Sequence, residues 1–483
     1  MNNKYIPTIG IEVHVELKTN NKIFSPSKNN YDSSVNTNIN EIDLAYPGVL
    51  PTLNYEVVEK ALLACLSLNC SINRKMHFDR KNYYYPDLPK GYQITQNKTP
   101  IGYDGYVLID TNLGPKKIEL ERIHMEEDTC KSIHINGKTL LNYNRAGVPL
   151  IEIVTKPCIS SGDEAVKYLE ALRETLFYLG VSDCKIEEGS MRADVNVSVS
   201  KDSNLGTKCE VKNIGSISSV KTAIDYEITR QIKLLEENKN IEEETRKFDA
   251  KTSSTVLMRK KEVGNDYRYF PEPDIPYLYI TDELLENVKS QIKFLPNERR
   301  RIYKEKGISE INIEKLISNK SLSDYLNKFL NENIDFKIAS NILLGDITSY
   351  LNKNNININN TKLDNKFIYL VDMLSNQKMS SKIFKEILPD ILESDLSIEE
   401  ILKLKNITLM SDTNELEDIV KKVLSENQNS VNDYKSGKQN ALKYLMGMIM
   451  KETKGSANPK IVNDLLLDLL SKDVNWLLLN YNV

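Results

Sequence analysis

The chain is 483 residues long, a length that favours two to four folding units with at least one sizeable core and excludes a peptide or a disulfide-stapled miniature. Its 64 Lys and Arg oppose 68 Asp and Glu for a formal charge of -4, which argues against a histone-like or architectural DNA binder while leaving room for a basic patch on one domain. Six scattered cysteines with no C-x-x-C pair, no Cys/His cluster and no run of 18 apolar residues predict a reduced cytoplasmic protein without structural zinc, a disulfide framework or a membrane span.

The first informative segment is IEVHVEL at 11–17. A two-residue strand period places Glu12, His14 and Glu16 on one face and Val13, Val15 and Leu17 on the other. Residues 55–69 put Val58, Ala61, Leu62, Cys65 and Leu68 on one helical stripe, and Ser161-Gly162-Asp163-Glu164 reads as a capping box ahead of a second helix. Both helices are expected to pack on a sheet, with their cysteines filling core. In MRADVNVSVS at 191–200, Arg192, Asp194, Asn196 and Ser198 oppose Ala193, Val195, Val197 and Val199; in GTKCEVKN at 206–213, Lys208, Glu210 and Lys212 alternate with Thr207, Cys209 and Val211.

Such polar faces have two readings. One is the solvent side of an antiparallel sheet. The other is a concave catalytic surface, on which His14 between Glu12 and Glu16 is a ligand candidate and carboxylates from Glu126, Glu127, Asp128, Asp194 or Glu210 complete a hard-ligand shell. That shell suits Mg2+ escorted by a nucleotide, with Arg145, Arg192 and Lys208 for phosphate oxygens. No P-loop, G-x-G-x-x-G, H-E-x-x-H or G-x-S-x-G occurs, so any ATP chemistry proceeds without a P-loop. The serines beside Lys221 in GSISSVK read as a loop-to-helix start.

Near residue 290 the pattern changes from short alternating runs to helical spacing in Lys/Glu/Asn-rich segments. An α+β fold is predicted: a mainly antiparallel-sheet, cradle-like catalytic domain over 1–293, a helical domain over 294–405 and a helical tail over 406–483. The first boundary lies in the charged stretch 294–307 and the second around 400–412. The Asn-rich run 351–363 reads as an expanded surface loop.

Several long motifs occur in order: IGIEVHVEL, IDLAYPGVLPTLN, FDRKNYYYPDLPKGYQITQ, ERIHMEEDTCKSIH, NRAGVPLIEIVTKP, GSMRADVNVSVS, GTKCEVKNIGS, DYRYFPEPDIP and, late in the chain, YKSGKQNALKYLMGMIMK and KGSANPKIVNDLL. Over almost the full length they resemble the B subunits of aspartyl/glutamyl-tRNA amidotransferases. The resemblance implies a protein that uses ATP to activate the side-chain carboxylate of misacylated Glu-tRNA(Gln) or Asp-tRNA(Asn). A partner amidase, the A subunit of such enzymes, would supply ammonia from glutamine, and the small C subunit would hold the complex together. The resemblance further implies metal and phosphate residues at Glu12, His14, Glu127, Asp194 and Glu210, with Glu127 chosen over Glu126 on the alignment of HMEED. Arg145, Arg192 and Lys208 follow from position and charge, and Asn196 from its place on the Asp194 face.

Some members of that family carry a cysteine zinc site in the early loop; residues 21–38 here hold no cysteine, so that loop is expected to be held otherwise. The tail resembles a tRNA-binding module, and Lys421, Lys422, Lys435, Lys438, Lys443, Lys451, Lys454 and Lys460 supply the cations that phosphate contacts require. Two competing readings remain at this point: a stand-alone carboxylate-amine ligase, which needs no partner, and a purely structural tRNA-binding protein, which tolerates loss of Glu12 and His14.

Overall fold

The computed structural model describes residues 5–30, 33–202, 204–260, 267–407, 413–453 and 455–480. Asp266 of the DYRYFPEPDIP motif, Lys454 of the tail and residues 408–412 at the second expected boundary lie outside these. The chain forms two compact units, Met1–Pro296 and Asn297–Val483.

The first unit is built on a ten-stranded sheet. Its centre runs, in neighbouring order, Cys209–Lys212, Met191–Ser200, Ile6–Glu16, Pro149–Thr155 and Gly114–Glu127, all antiparallel. Glu244–Asp249 joins the Cys209–Lys212 strand in parallel, and Ser254–Lys260 closes that edge antiparallel. The parallel pair demands a crossover connection, and the helix Ile217–Glu236 supplies it. The fold class is therefore the mainly antiparallel α+β arrangement that the alternating patterns predict.

The valines of the alternating motifs form the hidden face. Val13, Val15, Val195 and Val197 are fully buried, as are Ile123, Met125, Ile151 and Ile153 from the neighbouring strands, in one apolar cluster with residues of the helices Tyr55–Ser67, Gly162–Tyr178 and Ile217–Glu236. Burying a Val or Ile side chain contributes roughly 1.5–3 kcal/mol, so a one-residue slip of any of these strands would turn that gain into exposure. This fixes the register and with it the polar face. The expected stripe of the Tyr55–Ser67 helix is buried. At the second helix the cap differs from the expected box: Ser161 Oγ accepts from the Glu164 amide at 3.2 Å, but the Glu164 carboxylate reaches back to the amide and hydroxyl of Ser160.

The early loop is organised by Asp43, which accepts from Ser25 Oγ at 2.8 Å and Ser27 Oγ at 2.5 Å and pairs with the fully buried Lys22 at 3.4 Å. These bonds tie residues 22–27 to the turn that follows the loop.

The second unit is helical and holds two apolar clusters, one from Tyr303 to Leu402 and one from Leu416 to Leu470. The run 351–363, expected as an expanded surface loop, instead ends the helix Thr348–Asn354 and continues through a short 3-10 turn. Leu351, Ile358 and Leu363 anchor it in the first cluster, so the asparagines between them bridge buried points. Among the described residues no helix is long and apolar enough to cross a membrane.

Candidate active site

The register brings the polar faces of five strands into rows. Glu12 lies opposite Asp194, and His14 lies between Arg192 on one side and Glu152 on the other. Glu152 in turn lies opposite His124, and Asn196 opposite Glu210. The pleat projects these side chains away from the apolar core. A cavity of about 500 Å3 opens on this face, lined by His14, Lys81, Tyr83, Glu126, Asp128, Arg192, Asp194 and Lys212 among others.

At the centre are His14, Glu126 and Glu152, each offering a ligand atom within 4.8 Å of the others. His14 Nε2 is 3.3 Å from Glu126 and 3.6 Å from Glu152. His124 Nε2 approaches Glu152 at 3.1 Å and Glu126 at 3.8 Å, while its Nδ1 is buried without a hydrogen-bond partner. Burial lowers the basicity of His14, but Glu126 and Glu152 outweigh it and push the imidazole up to about 9. Burial alone would raise both carboxyls; the two histidines hold Glu126 well below and Glu152 below the ordinary value. Two carboxylates held ionised and one imidazole, converging within 4.8 Å, form a donor set for a divalent cation, whose charge would take the place of the imidazole's extra proton.

A second acidic group lies one row along. Asn196 Nδ2 donates to Glu12 at 2.9 Å, and Glu12 is raised above its ordinary value by burial and by Glu152. Lys212 pairs with Asp194 at 2.7 Å and Glu210 at 3.0 Å, and Thr245 Oγ1 donates to Glu210 at 3.0 Å. At the third corner Asp128 takes Arg192 at 2.8 Å and lies 3.6 Å from Arg145, whose guanidinium also donates to the carbonyls of Thr129 and Cys130.

Glu12, His14, Arg192, Asp194, Asn196 and Glu210 are thus brought to one surface, with Arg145 held against Asp128. Two expected residues are not. Glu127 has the opposite strand parity from Glu126: it accepts from the Ile94 amide at 2.9 Å, pairs with Lys90 at 2.7 Å and lines a different cavity of about 270 Å3. Lys208 is exposed ahead of its strand, which begins only at Cys209; the cation at Asp194 and Glu210 is Lys212.

Two residues of this face, Glu152 and Lys81, escape the expectation, and a third is considered there but not chosen. Glu126 was passed over for its neighbour, although alternation from His124 selects it. Glu152 is the only charged residue in the buried strand Pro149–Thr155, a signal of the same kind as His14. Lys81 lies on the short strand Asp79–Asn82, where no apolar alternation marks it. In the tail, Lys421, Lys422 and Lys438 are engaged with Glu417, Glu452 and Asp433.

Comparison with known proteins gives two family matches, the GatB/GatE catalytic domain over residues 7–286 and the GatB domain over residues 324–470. The chain is also similar to proteins named as the B subunit of aspartyl/glutamyl-tRNA(Asn/Gln) amidotransferase. The one from Limosilactobacillus fermentum is 44% identical over 463 residues, 95% of this chain and 98% of that protein. The one from Geobacillus kaustophilus is 45% identical over 469 residues, 96% and 98%, and that of Enterococcus faecalis 44% over 469 residues, with the same shares.

Proposed function

The chain belongs to the family of B subunits of aspartyl/glutamyl-tRNA(Asn/Gln) amidotransferases, and from that premise we propose that the cleft around His14, Glu126 and Glu152 is where the tRNA-borne carboxylate is activated. The function of the family is ATP-dependent activation of the side-chain carboxylate of misacylated Glu-tRNA(Gln) or Asp-tRNA(Asn), followed by amidation with glutamine-derived ammonia. Membership implies ATP and Mg2+ as cofactors, and the amidase (the A subunit), the small C subunit and tRNA as partners.

The observation that carries the reading is the convergence of His14, Glu126 and Glu152 within 4.8 Å. These three are the residues that would hold Mg2+, with Glu12 and Asp194 in the adjoining row and Glu210 in the next. Bound there, Mg2+ would supply positive charge beside phosphate oxygens. The donor chemistry suits it: carboxylates and an imidazole, with no thiolate to favour zinc.

The chain's own side chains do the rest. Arg192, fixed by Asp128, and Lys212, fixed by Asp194 and Glu210, present cations with little freedom to reorganise during phosphoryl transfer. Asn196 orients Glu12. A carboxylate oxygen attacks the γ-phosphorus, the bond to ADP breaks, and the resulting acyl phosphate gives ammonia a carbonyl with phosphate as leaving group. Free carboxylate has no comparable leaving group, so activation must precede amidation.

The test combines the assembled complex with Glu-tRNA(Gln), ATP, Mg2+ and either glutamine or ammonium. Glu126→Gln and His14→Ala are expected to lower tRNA-dependent phosphate release and amide formation by at least a hundredfold with either nitrogen donor. Unchanged turnover in both variants would remove the assignment.

A further inference from the structure

Charge accounting in the cleft singles out one lysine. Glu12, Glu126, Glu152, Asp194 and Glu210 face it, and the cations beside them are engaged: Lys212 by Asp194 and Glu210, Arg192 by Asp128, His14 by Glu126 and Glu152. Lys81 lines the same cavity, yet among the described residues its ammonium makes no ion pair and no hydrogen bond. Its ammonium rests near aromatic rings instead, 5.0 Å from the centre of Tyr267 and 5.9 Å from that of Tyr83, and these two rings meet edge to face at 6.0 Å.

Lys81 is nonetheless a cation here. Burial opposes its charge, but Glu126, Tyr269, Tyr267 and Glu152 hold the ammonium above the ordinary lysine value. A second unengaged cation stands nearby. Arg122 precedes His124 and Glu126 on the same strand face, has a buried Nε without a hydrogen-bond partner, and makes no ion pair among the described residues. Both charges bear on the Tyr269 hydroxyl.

The substrates differ in what they need from such cations. ATP arrives with Mg2+, so part of its charge is already offset and the acidic residues meet it through the metal. The acyl side chain arrives as a bare carboxylate in a cleft that already holds several others. Taking it out of water there requires a positive partner that need not be stripped from an existing pair.

We propose that Lys81 receives the side-chain carboxylate of the tRNA-borne Glu or Asp, with Arg122 reinforcing the positive field behind it. The inference rests on the cleft being the activation site. It names the residue that binds the second substrate there, and the tyrosines around Lys81 hold its ammonium in place without neutralising it.

The test is steady-state kinetics of the assembled complex, with Lys81→Met, Lys81→Arg and Arg122→Gln, together with the affinity of the complex for deacylated tRNA. Lys81→Met is expected to raise KM for Glu-tRNA(Gln) at least tenfold, with KM for ATP within twofold and deacylated-tRNA affinity unchanged. Lys81→Arg should recover KM to within threefold, and Arg122→Gln should raise it about threefold. An unchanged KM for Glu-tRNA(Gln) in Lys81→Met would overturn the inference, and so would a rise confined to ATP, which would make phosphate the occupant. Equal loss in Lys81→Met and Lys81→Arg with weakened binding of deacylated tRNA would also overturn it, by showing a structural role. A wild-type complex that forms no amide would instead remove the underlying activation-site reading, a result distinct from all of these.

Discussion

Glu126 and Glu127 are consecutive on one strand and serve opposite sides of the sheet: Glu126 meets His14 at 3.3 Å, whereas Glu127 meets Lys90 at 2.7 Å and the Ile94 amide at 2.9 Å. The pleat alone separates them. Their amide variants should therefore fail differently. Glu126→Gln is expected to raise the Mg2+ concentration for half-maximal tRNA-dependent ATP hydrolysis at least tenfold. Glu127→Gln should leave that concentration within twofold and cost about 1.5–3 kcal/mol of stability through the lost charged hydrogen bonds. Mg2+ titrations and denaturant melts of both variants check this; a matching Mg2+ dependence in the two would contradict it.

Behind the sheet, Glu227 is fully buried among Arg230, Gln231 and Thr255, with Arg246 at 3.6 Å. Burial would raise its carboxyl, but Arg230, Gln231 and Arg246 outweigh that and hold it below the ordinary value. A group lowered in the folded state contributes stability that is complete above its unfolded value and lost as pH falls through the folded one. Stability should thus decline from about pH 4.5 downward, and Glu227→Gln, which removes one carboxylate partner of Arg230 and Arg246 and leaves them Glu244, should cost about 1.5–3 kcal/mol at neutral pH and flatten that decline. Urea melts at pH 7 and pH 4 report both effects; a variant as stable as wild type at pH 7 would refute the account of this network.

Gly206 has no room for a side chain. A Cβ there would lie 2.3 Å from the Val199 carbonyl oxygen and 2.8 Å from its carbon, and backbone does not yield as a flexible side chain does. Because this turn leads into the strand carrying Glu210 and Lys212, Gly206→Ala is expected to cost about 1–3 kcal/mol and to lower turnover with it. A thermal melt alongside kcat tests the coupling. Full stability in the variant would show that the turn relaxes freely.

Much of this was legible in the sequence, and the reason is parity. Strand alternation in IEVHVEL and MRADVNVSVS places Glu12, His14, Arg192, Asp194 and Asn196 on one polar face, as found, because their apolar partners, such as Val13 and Val195, are fully buried and pin the register. Alternation also puts Glu126 rather than Glu127 on this face, a distinction that motif alignment alone does not make. Lys208 failed because a period says nothing of where a strand starts, and this one starts one residue later. Lys81 was invisible for another reason: its strand reaches the cleft only through tertiary packing, in a sheet of three short strands. The 351–363 run misled through its asparagines, which hide the buried spacing of Leu351, Ile358 and Leu363.

The central claim is that His14, Glu126 and Glu152 hold the divalent cation that serves carboxylate activation, and metal binding tests it most directly. Mn2+ titration of the assembled complex, followed by electron paramagnetic resonance, should show one tight site that Mg2+ displaces. His14→Ala and Glu152→Gln should each weaken it at least tenfold, and saturating Mg2+ should raise the melting temperature of the wild type alone, as binding at a hundred times Kd stabilises by about 2.7 kcal/mol. Mn2+ affinity and stoichiometry unchanged in both variants would contradict the account.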